Sequence, residues 1–396
     1  MKTLLFVDDE PRVLQGLERQ LRGLRDEWDM HFAQSGAKAL EFMAMQPVDV
    51  IISDMLMPGM DGAQLLSEVV KRHPQTTRIV LSGHADRESV LRLVGPAHQY
   101  LSKPCDAEEL RAAISRAAAL SALLSNDRLK RLTAEIKTLP SLPMLHQRLT
   151  SEFRKDEPSL ERVGEIVSQD IGMTTKILQL VNSAFFGLSQ SISNPTEAVA
   201  YLGLTTIRSM VLSLQVFSQF DQRKIKGFSI EALAQHGWRT GIFARRIAQI
   251  EHSELKVGDQ CFLAGLLHDV GRLILASNLP EGYERAWQVA QEPGKSLLET
   301  ESAEFGATHA EVGAYLLGLW GLPNPVVEAV AFHHRPNDCP HSGFAPVIAV
   351  HVANRLAHEK DGDYASEGAN AVALANAPLA SRVVDWKRGC LHEELP

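Results

Sequence analysis

The chain has 396 residues, with 40 Lys and Arg against 48 Asp and Glu, a formal charge of −8. That length predicts two or three domains, and the acidic balance argues against a nucleic-acid binder that works through a broad basic face. No apolar run nears the ~20 residues that a membrane span needs, and Met1–Val7 meets Asp8 and Asp9 too early for a signal peptide.

The four cysteines (Cys105, Cys261, Cys339 and Cys390) show no CxxC spacing and read as reduced thiols in a cytoplasmic protein. Most of the 15 histidines fall in the second half of the chain.

The first hundred residues alternate short β-type runs with helical patterns. Strands are expected at Thr3–Val7, Met30–Ala33, Val48–Ser53, Arg78–Leu81 and Gln99–Ser102. The first and third are continuously apolar, as suits parallel strands covered on both faces. Arg12–Leu24 and Gly62–Arg72 place apolar residues three and four apart, as crossover helices do. Five such units predict a doubly wound α/β sheet, on which ligands sit beyond the carboxyl ends of the strands.

Those ends carry Asp8 and Asp9, Asp54, Ser82 and Lys103. Taken singly, each has a bland reading; Asp8-Asp9 before Pro11 would serve as a helix cap. Together they have a chemical logic. Three converging carboxylates repel one another unless a hard dication sits among them, and Mg²⁺ prefers oxygen ligands. A lysine and a hydroxyl across the pocket would bind phosphoryl oxygens, and a carboxylate beside Mg²⁺ can itself accept the phosphoryl group.

Residues 1–122 resemble a response-regulator receiver domain of flavodoxin-like fold, with strand order 2-1-3-4-5. The likeness runs from Phe6-Val7-Asp8-Asp9-Glu10 through Ser53-Asp54-Met55-Leu56-Met57-Pro58-Gly59 to Tyr100-Leu101-Ser102-Lys103-Pro104. It implies that Asp54 is the phospho-acceptor, and that Asp8, Asp9, Asp54 and the Leu56 carbonyl hold Mg²⁺. Ser82 and Lys103 would contact the phosphoryl group, and Tyr100 would be the aromatic switch. A cis peptide at Lys103–Pro104 belongs to the same pattern.

Residues 123–138 form a helical junction. Ile114, Ala117, Ser121 and Leu124 make one apolar stripe; Leu129, Leu132, Ile136 and Leu139 make another. The stripes are five residues apart, so they do not join as one heptad seam. Either the helix breaks at Asn126-Asp127 or the stripes face different partners; a linker packed on its own domain and a homodimer through this helix both stay open.

From Ser159 the chain reads as all-α, with no convincing strand. Helices are expected at Leu160–Ser168, Met173–Val181, Pro195–Leu202, Thr206–Phe220, Ile230–Ile250, Asp259–Ala276, Tyr283–Gln291, Thr308–Leu319, Pro325–His334 and Pro346–His358. The array contains His268-Asp269, His309 and His333-His334, whose imidazoles and carboxylate suit a metal ion.

Ala264-Gly265-Leu266-Leu267-His268-Asp269-Val270-Gly271-Arg272 resembles the signature of HD-type metal phosphohydrolases. Leu139-Pro140-Ser141-Leu142-Pro143, Val181–Gly187 and Ala198–Leu204 narrow the resemblance to the HDOD subfamily, an HD-like all-α domain over residues 139–358, with a tail at 359–396. An active HD site needs a further histidine upstream and an aspartate downstream. The spacing assigns Thr240 and Asn354 to those positions, with His236 one turn earlier fitting less well.

That ligand set argues against a metal at the HD site, leaving His268, Asp269, His309, His333 and His334 as the remains of one or as a second metal site. The resemblance implies a response regulator phosphorylated by a sensor histidine kinase or phosphotransfer protein, whose HDOD domain acts as a non-catalytic signalling or scaffold module on an output protein, away from nucleic acid and membrane. Its only chemistry would then be the receiver's own phosphorylation and dephosphorylation. The alternative is a receiver-gated phosphohydrolase acting on a cyclic dinucleotide or nucleotide, against which the missing Gly-Tyr-Pro element after His334 also counts.

Overall fold

A computed structural model describes residues 2–82, 97–103, 105, 108, 110–111, 113–115, 126–136, 139–141, 143–155, 157–182, 191–212, 218–219, 228–339, 343–361 and 377–391. The N-terminal part is a five-stranded parallel sheet of order β2-β1-β3-β4-β5, built from β1 (Lys2–Val7), β2 (Trp28–Ala33), β3 (Val50–Asp54), β4 (Thr77–Ser82) and β5 (Gln99–Ser102). Leu5, Val7 and Ile51 pack into one apolar cluster while Leu4, Phe6 and Ile52 pack into another, so the sheet is covered on both faces. That double burial is why the strand sequences are continuously apolar rather than alternating.

The crossover helices are α1 (Pro11–Gln20), α2 (Gly36–Met45) and α3 (Gly62–Arg72). Ser35 caps α2 by accepting from the Lys38 N–H, and Asp61 with Gln64 forms a capping box on α3. The expected helix through Leu24 ends earlier, at Gln20, and continues as a short 3₁₀ turn over Arg22–Leu24.

The junction contributes α4 (Asp127–Glu135), whose N-cap Asn126 accepts from the Arg128 and Leu129 N–H groups. A helix therefore starts at the Asn126-Asp127 break. Leu129 and Leu139 are buried in the core of the helical region, and Leu132 and Ile136 pack against it. This second stripe faces its own chain. Most of the first stripe, Ala117, Ser121 and Leu124, lies outside the described residues.

The helical region runs through α5 (Pro143–Phe153), α6 (Leu160–Ser168), α7 (Ile171–Val181), α8 (Pro195–Leu212), α9 (Ile230–Ile250), α10 (Leu255–Leu267), α11 (Val270–Asn278), α12 (Pro280–Ala290), α13 (Leu297–Phe305), α14 (His309–Leu319), α15 (Asn324–Phe332), α16 (Pro346–Asp361) and α17 (Ala377–Leu391). A two-residue parallel pair, β6 (Pro140–Ser141) with β7 (Ser218–Gln219), also forms there; two residues are too few to leave a strand pattern in the sequence.

Three differences from the expected helices bear on function. The stretch Asp259–Ala276 is two helices, broken at His268-Asp269, where Asp269 leaves the helical conformation at φ −97°, ψ 11°. The helices expected at Pro195–Leu202 and from Thr206 are joined through a kink at Gly203, whose φ is 77°. Helix α13 has no counterpart in the sequence expectation, and it supplies a residue to the site described below. In the tail, α17 is anchored by fully buried Trp386, whose Nε1 donates to Glu251 Oε1 at 2.8 Å.

Candidate functional site

The polar residues singled out in the sequence come together in two places among the described residues. At the carboxyl ends of β1 and β3, Asp8 and Asp54 are buried, being 2% and 8% exposed. Lys103, just past β5, bridges them: its Nζ donates to Asp8 Oδ2 at 2.6 Å and pairs with Asp54 Oδ1 at 2.5 Å. The remaining oxygens are oriented locally, Asp8 Oδ1 accepting from the Glu10 N–H and Asp54 Oδ2 from the Leu56 N–H.

Gly62 at the start of α3 is required here. A Cβ on it would lie 2.2 Å from the Asp54 carbonyl oxygen, so only glycine lets α3 abut the end of β3. Burial raises the Asp54 carboxyl above its ordinary value despite Lys103, and Asp8 adds to the rise. For Lys103, burial opposes the charge, but its bonds to Asp54 and Asp8 outweigh it and the net shift is upward.

Buried Asp8 and Asp54 and half-exposed Asp9 are oxygen donors, the type that Mg²⁺ takes. Register places Ser82 and Tyr100 in β4 and β5, on strands that pair through Val80 and Tyr100. The Ser82 and Tyr100 side chains and Pro104, with its expected cis bond, lie outside the described residues.

The second place is a pocket among α9, α10, α11, α13, α14, α15 and α16. It gathers His268, Asp269, His309, His333 and His334, as well as His236. The ligating atoms of His309, His333 and His334 lie within 4.8 Å of one another, and so do those of His236, His268 and Asp269. This corrects the position of the upstream histidine, which is supplied by His236 and not left vacant at Thr240.

Both residues sit one turn apart on α9, and the spacing that favours Thr240 does not fix which of them meets His268. The rotation of α9 is set by packing: a Cβ on Gly237 or Gly241 would meet the Leu266 or Phe262 carbonyl oxygen at 2.6 or 2.8 Å. Asn354 faces this cluster: His236 Nε2 donates to its Oδ1 at 2.8 Å.

The imidazoles are oriented from behind. His268 Nδ1 donates to the Gly265 carbonyl at 2.7 Å and His333 Nδ1 to the Val330 carbonyl at 2.8 Å. His309 Nδ1 donates to Glu301 Oε2 at 2.7 Å, and its backbone N–H donates to the same oxygen at 2.8 Å. The Nε2 atoms are thereby turned inward: His309 Nε2 is 2.9 Å from His334 Nε2 and 3.3 Å from Asp269 Oδ1, and His333 Nε2 is 3.9 Å from that oxygen. His333 Nε2 is buried without a hydrogen-bond partner. Rear anchoring with inward nitrogens is how proteins present imidazole to a transition metal, so the donor set fits such an ion.

The pocket also carries its own cations. Arg272 Nη1 donates to Asp269 Oδ2 at 2.7 Å, and its guanidinium also stacks over Trp287 at 5.2 Å. Burial alone would raise Asp269, but His268, Arg272 and His309 hold it well below the usual carboxylate range. Burial opposes charge on His309, yet Glu301 and Asp269 bring it up to about 10. Burial and His334 keep His333 well below the ordinary imidazole value. Glu301, His309, Asp269 and Arg272 thus form a chain of alternating sign. Arg272 was legible as an i,i+3 partner of Asp269; Glu301 gave no signal, because its helix was not expected.

Fold and pockets together define a receiver domain joined to an HD-like helical domain. The HDOD domain family matches residues 139–336, half of the chain, and the response regulator receiver domain family matches residues 4–115. The chain belongs to the HDOD domain family and carries a receiver domain ahead of it.

An uncharacterized protein of Treponema pallidum (strain Nichols) is 29% identical over 235 residues, covering 58% of this chain and 44% of that protein. The DNA-binding transcriptional regulator NtrC of Escherichia coli (strain K12) is 37% identical over 112 residues, 28% of this chain and 24% of NtrC. The chain thus spans less than half the length of these relatives. Among solved structures, the MmoQ response regulator of Methylococcus capsulatus (strain Bath) matches in fold with a TM-score of 0.50 at 20% identity, over 64% of this chain and 98% of that one. No helix among the described residues is long and apolar enough to cross a membrane.

Proposed function

We propose that Asp54 accepts a phosphoryl group from a sensor histidine kinase or phosphotransfer protein, in the cytoplasm, and that the receiver thereby controls the HDOD domain as a binding module for an output protein. The observation that carries this reading is the Asp8–Lys103–Asp54 bridge beside Asp9: a carboxylate nucleophile, an oxygen donor set and a cation on one side of it. Mg²⁺ held by Asp8, Asp9, Asp54 and the Leu56 carbonyl would offset charge on the incoming phosphoryl oxygens. Lys103 would release Asp54 toward the phosphorus and keep contact with the transferred oxygens. Ser82 and Tyr100 keep their roles as phosphate contact and switch in this proposal.

Two features support a non-catalytic HDOD domain. Asn354 offers an amide where a carboxylate is needed, and Arg272 and His309 already neutralise Asp269 from within. The test is incubation with acetyl phosphate and Mg²⁺. The wild-type chain is expected to take up one acid-stable, base-labile phosphoryl group, and Asp54→Asn none; equal labelling of the variant overturns the acceptor assignment. A pull-down with wild type and Asp54→Asn then reads out the output partner.

A second reading rests on the inward Nε2 atoms. His309, His333 and His334 with Asp269, and His236 with His268, would hold Mn, Fe or Zn, which supplies a Lewis acid for phosphodiester hydrolysis of a cyclic dinucleotide or nucleotide. Here Asp269 would have to exchange its bond to His309 for the metal. Metal analysis of the purified chain decides the holding independently of turnover, since a stoichiometric ion lost in His309→Ala needs no substrate. Turnover of cyclic di-GMP, lost in His268→Ala, would displace the first reading of the domain.

A further inference from the structure

Among the described residues, one contact from the receiver and one from its junction fall on the consecutive helices α13 and α14. At one end, Gln99 on β5 donates from Nε2 to the Gly318 carbonyl at 3.1 Å, in a buried position. The chain turns at Gly321, φ +72°, where a Cβ would come within 3.4 Å of the Gln99 side chain. At the other end, Asn126 caps α4 with its oxygen and donates from Nδ2 to the Phe305 carbonyl at 2.6 Å, and α4 packs along α14.

The same two helices carry Glu301 and His309, the pair that anchors the histidine pocket. From Gly318 back to His309 is about 14 Å of continuous helix at 1.5 Å per residue. The helix cannot shift independently of the HD pair. A Cβ on Gly271 would lie 1.9 Å from the His309 carbonyl oxygen, and one on Gly313 would lie 3.0 Å from the Gly271 nitrogen. Backbone therefore rides on backbone two residues from Asp269, and a packed contact of this kind transmits displacement rather than absorbing it.

We infer that the α13–α14 segment is the element through which the receiver biases the histidine pocket: β5 holds the far end of α14, the junction holds the turn between the two helices, and Glu301 and His309 carry the shift to Asp269. The inference names the regulation of the pocket and rests on the receiver reading above, but its test needs no phosphorylation. Coupling between sites is reciprocal, so loosening one end is felt at the other.

Hydrogen–deuterium exchange on the full chain, without any phosphodonor, compares wild type with Gln99→Ala and Asn126→Ala. In Gln99→Ala, peptides covering 301–313 are expected to exchange about threefold faster or more, with α6 and α7 unchanged. Faster exchange confined to 316–321 overturns the inference. Asn126→Ala is expected to loosen 301–313 likewise, and it carries the test alone if Gln99→Ala unfolds the chain; an effect confined to 303–306 overturns the inference. Conversely, Glu301→Gln is expected to alter exchange at 99–102. Acetyl phosphate and Mg²⁺ added to wild type should then move the same peptides; absent label at Asp54 would sink the receiver reading and leave the variant result standing.

Discussion

The two polar pockets of this chain solve the same electrostatic problem in opposite ways. In the receiver, Asp8 and Asp54 share one lysine at the open ends of parallel strands, and burial leaves Asp54 raised. In the helical region, Asp269 is flanked by Arg272 and His309, and His309 is backed by Glu301; Asp269, His309 and Glu301 are buried and Arg272 is partly so. The first set is short of positive charge. The second is balanced by its own residues. Under the function proposed above, the carboxylate that accepts an incoming group is the under-compensated one, and the carboxylate paired on both sides keeps a domain in order.

The largest expected effect breaks that balance directly. Asp269→Asn leaves buried His309 and partly buried Arg272 facing an amide, and removing one partner of a buried ion network costs on the order of 3–5 kcal/mol. Urea denaturation of the full chain should show this loss in the transition of the helical region. Arg272→Met is expected to cost less, because His309 still faces Asp269. If Asp269→Asn costs under about 1 kcal/mol, the pocket is not balanced from within, and the metal reading gains the ground.

A third buried charge sharpens the comparison. Lys176 on α7 is fully surrounded, with Nζ bonded to Gln179 Oε1 at 2.9 Å and 5.4 Å from the Trp320 ring. Burial pushes its ammonium down to about 7, whereas Arg272 is held upward by its carboxylate. The unfolded chain therefore binds more protons than the folded one between about pH 7 and the ordinary lysine value. Stability from this group is fully present above that ordinary value and is lost as pH falls toward 7. Lys176→Met is expected to flatten the rise in melting temperature between pH 7 and 10, and to stabilise the chain at neutral pH by at most a few kcal/mol. An unchanged slope would show that Lys176 stays charged in the fold.

How much of this was legible in the sequence follows from how local each signal is. The receiver site was readable because each residue sits at a strand end, and strand ends can be counted along a chain: Asp8, Asp54 and Lys103 fall where the apolar runs stop. The helical pocket is assembled from faces of helices, and a face is fixed only by packing. His236 and Thr240 share a face of α9, and the Gly237 and Gly241 contacts with α10 decide their depth.

His268-Asp269 lies in one continuous apolar pattern, so the break between α10 and α11 left no mark. Helix α13, Leu297–Phe305, carries Glu299, Glu301 and Glu304 among few large apolar residues; its period was too weak to read, and Glu301 went with it. Capping was the signal that could have found it, since Ser296 and Glu299 form a capping box.

The smallest expected effect tests the open side of the comparison. Without Mg²⁺, ionised Asp54 faces Asp8 at close quarters, and among the described residues Lys103 is the cation that offsets the pair. A carboxyl raised in the folded state contributes stability that is complete below its unfolded value and is lost as pH climbs through the folded one. Asp54→Asn removes the titration. The variant should match wild type near pH 3 and exceed it by up to about 1 kcal/mol at pH 7, a figure already reduced for the solvent that reaches this site. Adding Mg²⁺ should reverse the order, because an ion bound to the folded state stabilises wild type by mass action and finds fewer ligands in the variant. Melting curves of both proteins with and without Mg²⁺ read both signs. A variant less stable than wild type in the absence of Mg²⁺ would mean that Lys103 alone satisfies the pair, and the contrast between an open and a closed pocket would fail at its receiver end.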